Sequence, residues 1–158
     1  MRQVIVGPSN SGKSENAERL LLGLARTKIG YIATLPYLHH TAARINRHKA
    51  RRGAQWITFE MVDSAEECLR LIEDAIRRCQ YLLLDGLSIL VWRISVIHGE
   101  LDFSCANRFL DRLDWLLKSS DNNWIIVDCD MPYADLGDQD PFNVLMRAYQ
   151  HKLICQCC

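Results

Sequence analysis

The chain has 158 residues, the size of one ordinary domain, and we therefore expect a single folding unit over residues 1–158. Its 19 basic and 19 acidic side chains cancel, which argues against the overall positive field of proteins that bind nucleic acids or membrane surfaces. There is no apolar run long enough to span a membrane and no signal-peptide pattern, and the odd number of cysteines, 7, favours free thiols. We expect a cytoplasmic protein with neither a membrane span nor a nucleic-acid partner.

Short β-prone runs alternate with helical patterns along the chain. In chain order, the first predicted elements are strand 3–6, helix 13–25, strand 29–34, helix 41–52 and strand 56–59. A helix capped by Asp63 or Ser64 and reaching residue 76 comes next, followed by strand 81–84, helix 87–97 and a helix around 109–117. The last predicted elements are strand 124–127, an irregular acidic segment 129–141 and helix 142–153. The run 81–84 is almost wholly apolar, as is typical of a strand buried on both faces of a parallel sheet. The pattern predicts an α/β fold with helices packed on a mostly parallel sheet.

The first predicted strand runs directly into a phosphate-binding motif. The pattern GxxxxGK[ST] is matched by Gly7-Pro8-Ser9-Asn10-Ser11-Gly12-Lys13-Ser14. Because the motif opens a helix, its backbone N–H groups and the positive helix terminus can converge on a triphosphate. We expect the Lys13 ammonium to reach the β and γ phosphate oxygens and the Ser14 hydroxyl to bind Mg²⁺. The alternative, a Gly/Ser-rich turn that binds nothing, is disfavoured by the position of the motif.

Asp85 follows the apolar run 81–84 directly. An acidic residue at the end of a buried strand commonly completes the metal site of a phosphate-binding loop. We therefore predict that Asp85 joins Ser14 in binding Mg²⁺. An Asp before a Gly also makes ordinary turns, and this second interpretation of Asp85 stays open.

The predicted helix 41–52 carries a basic stripe. Residues at positions i, i+3, i+4 and i+7 share one face, and here these are Arg44, Arg47, His48 and Arg51. A neutral imidazole among cations can attack an α-phosphate, because the cations offset the phosphate charge and lower the histidine pKa. The alternative is a solvated basic face, which is the ordinary role of a charged stripe on a helix.

Several of these pieces occur together in one known family. They are residues 7–14, Tyr31-Ile32-Ala33-Thr34, Ala43-Arg44-Ile45 followed by His48, then Arg51, Trp56, Thr58, Glu60 and Leu83-Leu84-Asp85. In order and spacing they resemble the bifunctional adenosylcobinamide kinase / adenosylcobinamide-phosphate guanylyltransferases of cobalamin synthesis. A phosphate-binding loop alone would not single out this family, whereas the YIAT and RIxxH segments together do.

The resemblance implies a RecA-like P-loop domain, typically assembled as a homotrimer. It implies that ATP or GTP phosphorylates the corrinoid adenosylcobinamide, and that GMP then passes from GTP to the phosphorylated corrinoid through a guanylylated histidine, which matches His48. The positions that match the family's other nucleotide-binding residues are Thr34, Leu35, Pro36, Lys49, Ala50, Arg51, Arg52, Glu60 and Asp85. Glu60 is also a candidate for orienting or deprotonating a reacting group.

The family's Arg-rich final helix with Asn and Gln is not found in this sequence, which also departs from the family pattern in two further places. Leu38-His39-His40-Thr41 stands where the family carries an acidic pair with Met, and residues 127–132 replace the family's NEVGxGIVP motif. We therefore regard the chain as a diverged member. Two alternatives follow: a P-loop module that binds nucleotide without chemistry, and a small kinase for another alcohol that needs only Lys13, Ser14 and Asp85.

Overall fold

The computed structural model of the protein describes residues 1–97, 100–130 and 137–157. Its strands are β1 (Arg2–Gly7), β2 (Ile29–Ala33), β3 (Trp56–Glu60), β4 (Tyr81–Asp85), β5 (Val96–Ile97), β6 (Glu100–Leu101) and β7 (Asn123–Cys129). Its helices are α1 (Lys13–Leu24), α2 (His39–Arg51), α3 (Ala65–Arg78), α4 (Leu87–Ser95), α5 (Phe103–Ser119) and α6 (Pro141–Cys157).

The five longer strands form one parallel sheet in the order β1-β7-β4-β2-β3. The register aligns their carboxyl ends: Gly7 pairs with Cys129, and Ala33 pairs with both Asp85 and Glu60. In open parallel sheets, the loops that leave this edge form the binding crevice. The sheet therefore brings the phosphate-binding loop, Asp85 and Glu60 to one side of the molecule.

Side chains of the central strands alternate between two apolar layers, as the period of two in a strand requires. On β4, Leu82 and Leu84 face the larger layer, which is covered by α3, α4, α5 and α6, whereas Leu83 faces the smaller layer under α1. All three are fully buried. Helices thus cover both faces of a parallel sheet, which confirms the predicted α/β class.

The predicted ends differ from the observed ones at a few elements. The helix predicted over 87–97 ends at Ser95, because Val96–Ile97 pairs with Glu100–Leu101 as a short antiparallel ribbon that the sequence did not reveal. Helix α5 starts at Phe103, with the Asp102 side chain accepting from the Cys105 N–H as its cap. The predicted irregular segment 129–141 lies partly outside the described residues.

None of the described helices is long and apolar enough to cross a bilayer. In the described part of the chain, Cys68, Cys79, Cys105, Cys129 and Cys155 are free thiols. The first two are buried in the core, as expected for cysteines that act as small apolar side chains.

Candidate functional site

The phosphate-binding loop has the backbone that its glycines predict. Gly12 adopts a φ of 80° and immediately precedes α1, so the chain turns sharply into the helix. The Lys13 ammonium folds back over the loop, donating to the Gly7 carbonyl at 2.7 Å and also to the Pro8 carbonyl. These carbonyls hold a cation above the helix N-terminus, where a triphosphate would meet both Lys13 and the loop amides.

Ser14 and Asp85 meet at the base of this loop. The Ser14 hydroxyl donates to Asp85 Oδ1 at 2.8 Å, and the Tyr31 hydroxyl donates to Asp85 Oδ2 at 2.6 Å. A hydroxyl and a carboxylate are the hard oxygen ligands that Mg²⁺ prefers. In the described ranges, no three His, Cys, Asp or Glu side chains converge as a metal cluster. The pair fits an Mg²⁺ that takes its remaining ligands from water and phosphate.

The end of β4 is tied to the end of β2 by a further contact. Thr34 is buried and its hydroxyl donates to the Asp85 carbonyl at 2.6 Å. Gly86, at a φ of 92°, donates its N–H to the Val127 carbonyl at 2.8 Å. Asp85 thus sits at a turn, as the alternative interpretation held, and at the same time it faces Ser14.

Helix α2 presents its basic stripe to the loop. Its first turn is fixed by Thr41, whose hydroxyl accepts from the Leu38 N–H at 2.8 Å and donates to the Pro36 carbonyl at 2.6 Å. A cavity beside the loop, here called the phosphate-side cavity, collects most of the predicted residues: Ser9, Asn10, Ser11, Gly12, Lys13, Ser14, Arg44, Arg47, His48, Arg51 and Asp85. The stripe therefore lines the cavity beside the loop, while the side chains of Arg44, Arg47 and Arg51 stay exposed to solvent, as the alternative interpretation held.

His48 lies deepest in this stripe, with a side chain that is 16% exposed. Its Nδ1 is 3.9 Å from Asp85 Oδ2, 4.0 Å from Glu18 Oε1 and 3.4 Å from an Arg51 guanidinium nitrogen. Burial lowers the pKa of His48 below its usual value, and the positive charges of Arg51 and Arg44 also lower it. The Asp85 carboxylate acts in the opposite direction. A lowered pKa favours the neutral form of the imidazole near neutral pH.

A second cavity, here called the Tyr31 cavity, lies on the other side of His48. The predicted residues in its lining are Thr34, Leu35, Pro36, Arg44, His48, Lys49, Arg52, Glu60 and Asp85. Glu60 stands at the exposed rim, where its carboxylate pairs with the Lys49 ammonium at 2.8 Å. Ala50 is exposed and lines neither cavity, so the structure does not bring it to the other predicted residues.

Three site residues were missed by the sequence analysis. Glu18 is a buried acid on the inner side of α1, and burial raises its pKa against the opposing charge of Arg51. Tyr31 holds Asp85 and lies under the Arg52 guanidinium, 3.5 Å from its ring centre. Arg93 donates to the Thr34 and Met61 carbonyls and pairs with Asp63. A single cation in an otherwise apolar helix could have indicated Arg93; nothing comparable marks Glu18.

A solved structure with a similar fold is the flagellar accessory protein FlaH from Methanocaldococcus jannaschii. The two structures align with a TM-score of 0.53 and 13% sequence identity, over 94% of this chain and 67% of FlaH. At this identity the likeness concerns the fold alone. It agrees with the predicted α/β fold, in which helices cover a mostly parallel sheet.

Sequence comparison identifies the family. The bifunctional adenosylcobalamin biosynthesis protein CobP of Pseudomonas aeruginosa is 41% identical over 92 residues, which are 56% of this chain and 50% of CobP. The match thus spans half the length of this curated relative. The model of the cobinamide kinase / cobinamide phosphate guanyltransferase family matches residues 3–133, which includes the phosphate-binding loop, His48 and Asp85. The chain belongs to the cobinamide kinase / cobinamide phosphate guanyltransferase family.

Proposed function

We propose that the protein binds GTP or ATP with Mg²⁺ at residues 7–14, phosphorylates adenosylcobinamide, and transfers GMP from GTP to the phosphorylated corrinoid through His48. One structural observation supports this proposal in addition to family membership. The imidazole of His48 lies 3.9 Å from the Asp85 carboxylate, which itself accepts from Ser14. A nucleophile of the right chemistry therefore stands beside the candidate Mg²⁺ and triphosphate site.

The two cavities support a particular position for the nucleotide. Both are lined by Arg44, His48 and Asp85. If a nucleotide has its terminal phosphates in the phosphate-side cavity and its base in the Tyr31 cavity, its α-phosphate lies beside His48. Thr34, Lys49, Arg52 and Glu60, which match nucleotide-binding positions of the family, would then surround the base and ribose.

The chemistry follows from this position. His48 attacks the α-phosphorus, a P–N bond forms, the bond to the β-phosphate bridging oxygen breaks, and pyrophosphate leaves with that electron pair. A phosphate oxygen of the phosphorylated corrinoid then attacks the same phosphorus, and the P–N electron pair returns to His48. Lys13 and Arg51 offset the charge on the phosphoryl oxygens. When bound, Mg²⁺ would supply further neutralisation of the triphosphate through Ser14 and Asp85.

Intact-mass spectrometry after incubation with GTP and Mg²⁺ tests the proposal directly. We expect the wild-type protein to gain the mass of GMP, and the His48→Ala variant to gain none while still binding GTP. A wild-type protein that binds GTP without an adduct would instead be a nucleotide-binding module. Transfer of the γ-phosphate to another alcohol that survives His48→Ala would indicate a small kinase.

We also propose an oligomeric state and a cellular compartment for the protein. The family resemblance implies a homotrimer, and light scattering on the purified protein tests whether this chain forms one. A reaction that consumes GTP and ATP takes place where these nucleotides are abundant, which supports the cytoplasm as its compartment.

A further inference from the structure

Glu18 is a buried acid that lies close to both His48 and Arg51. Its side chain is 7% exposed, and it projects from α1 toward α2. One oxygen, Oε2, lies 3.3 Å from Arg51 Nε. The other, Oε1, is buried and makes no hydrogen bond within the described part of the chain. A buried carboxylate oxygen without a donor is costly, so it is expected to serve a group that approaches it.

The group nearest to this oxygen is the imidazole of His48. Oε1 lies 4.0 Å from His48 Nδ1, and Asp85 Oδ2 is 3.9 Å from the same nitrogen. Asp85 already accepts from Ser14 and Tyr31, whereas Oε1 has no such donor. Of the two carboxylate oxygens near Nδ1, Glu18 Oε1 is therefore the one without a donor, and it can accept an Nδ1–H.

Arg51 competes for the same nitrogen. One of its terminal guanidinium nitrogens lies 3.4 Å from His48 Nδ1. Because a guanidinium only donates, Nδ1 must be unprotonated when Arg51 is its partner, and the single proton of a neutral ring then sits on Nε2. In that tautomer Nε2 has no lone pair for attack. Arg51 also lines the phosphate-side cavity, so a bound triphosphate offers it a stronger partner.

We infer that Glu18 is the positioning residue of His48: when Arg51 turns to the triphosphate, Glu18 Oε1 accepts the Nδ1–H, and Nε2 is left unprotonated for attack on the α-phosphorus. This inference rests on the proposed function and assigns to Glu18 the orienting role that a carboxylate plays beside a catalytic histidine. During attack the Nε2 electron pair becomes the P–N bond and the proton stays on Nδ1. The Glu18 carboxylate offsets the positive ring that results, and the ring becomes neutral again when GMP departs.

A matched pair of variants tests this role. Glu18→Gln keeps the size of the side chain and removes its charge. We expect the single-turnover rate of GMP adduct formation to fall about 100-fold, within the usual range for acid–base and orienting groups, with the dissociation constant for GTP changed less than about threefold. Glu15→Gln is the control for the contact with Arg51, since Glu15 also approaches Arg51, at 3.7 Å, and lines the same phosphate-side cavity, but no ion pair joins Glu15 to His48.

The tautomer of His48 gives a second readout that needs no variant. We expect ¹⁵N-edited NMR of the wild-type protein to show the proton on Nδ1 when a non-reactive α,β-methylene analogue of GTP and Mg²⁺ are bound. A proton on Nε2 in that complex would overturn the inference, as would an adduct rate that is the same in Glu18→Gln and wild type. If the wild-type protein forms no adduct at all, the proposed function fails instead, and the two failures are thus distinguishable.

Discussion

The Ser14 hydroxyl donates to Asp85 Oδ1 at 2.8 Å, although the two residues lie 71 positions apart in the chain. The contact exists because β1 and β4 end at the same edge of the sheet, with only β7 between them. It joins the phosphate-binding loop to the end of β4, where a single acidic residue follows the apolar run 81–84. An Mg²⁺ held here would depend on both side chains.

Removing the Asp85 charge is expected to uncouple nucleotide binding from Mg²⁺. In Asp85→Asn, one anionic ligand is lost and the hydroxyl of Ser14 keeps a neutral partner. We expect Mg²⁺ to strengthen GTP binding by less than about twofold in the variant, compared with about tenfold or more in the wild type, as judged by calorimetry with and without the metal.

Asp74→Asn provides the control for this experiment. Asp74 is a half-buried carboxylate on α3 that pairs with Arg77 and Arg78, and it lines neither cavity. We expect its Mg²⁺ dependence to match the wild type. Equal Mg²⁺ dependence in Asp85→Asn and wild type would contradict the assignment of Asp85 as a metal ligand.

Lys13→Met should separate the affinity for triphosphate from that for monophosphate. The Lys13 ammonium sits over the loop carbonyls, where the β and γ phosphates are expected, so its loss should weaken GTP binding by about 10-fold to 100-fold. GMP lacks those phosphates, and its affinity should change little. Lys28→Met makes the same substitution before β2, and titrations of it should reproduce both wild-type affinities.

The sequence predicted the phosphate-binding loop and the basic stripe better than it predicted the surroundings of His48. The loop 7–14 and the stripe of Arg44, Arg47, His48 and Arg51 depend on local spacing, and the structure shows both as expected. The same holds for the strand ends, apart from shifts of a residue or two.

The environment of His48 could not be predicted in the same way. The approach of Glu18 to His48 requires side chains of α1 and α2 to meet, which follows from the strand order and not from any local pattern. The Tyr31 cavity likewise combines ends of β2, β3 and β4 with α4. The ribbon of β5 and β6 was missed because strands of two residues leave no periodicity to detect.

Adduct formation should persist at lower pH than an ordinary histidine allows. Burial lowers the pKa of His48 from its usual 6.5. The nucleophile must be neutral, so the rate should fall only when the pH drops through this depressed value. We expect the acid limb of the single-turnover rate of GMP transfer to His48 to lie below pH 6.5. An acid limb clearly above that value would mean that the carboxylates of Asp85 and Glu18 outweigh burial.

Two glycine substitutions should separate stability from binding. Gly86 adopts a φ of 92°, and a Cβ there would lie 2.8 Å from the Thr34 hydroxyl oxygen, which holds the Asp85 carbonyl. We expect Gly86→Ala to lower the free energy of unfolding by about 1–3 kcal/mol and to weaken GTP binding, because the strain falls on the turn that positions Asp85.

Gly30→Ala is the matched case away from the site. A Cβ at Gly30 would lie 2.6 Å from Leu82 Cδ2 and 3.3 Å from the Cys79 side chain, which are core atoms behind β2. Overpacking should again cost about 1–3 kcal/mol, yet the affinity for GTP should stay close to wild type at temperatures where the variant is folded. Urea unfolding and GTP titration of both variants distinguish the two effects, because equal losses of affinity would show that the turn at Gly86 has no special part in holding Asp85.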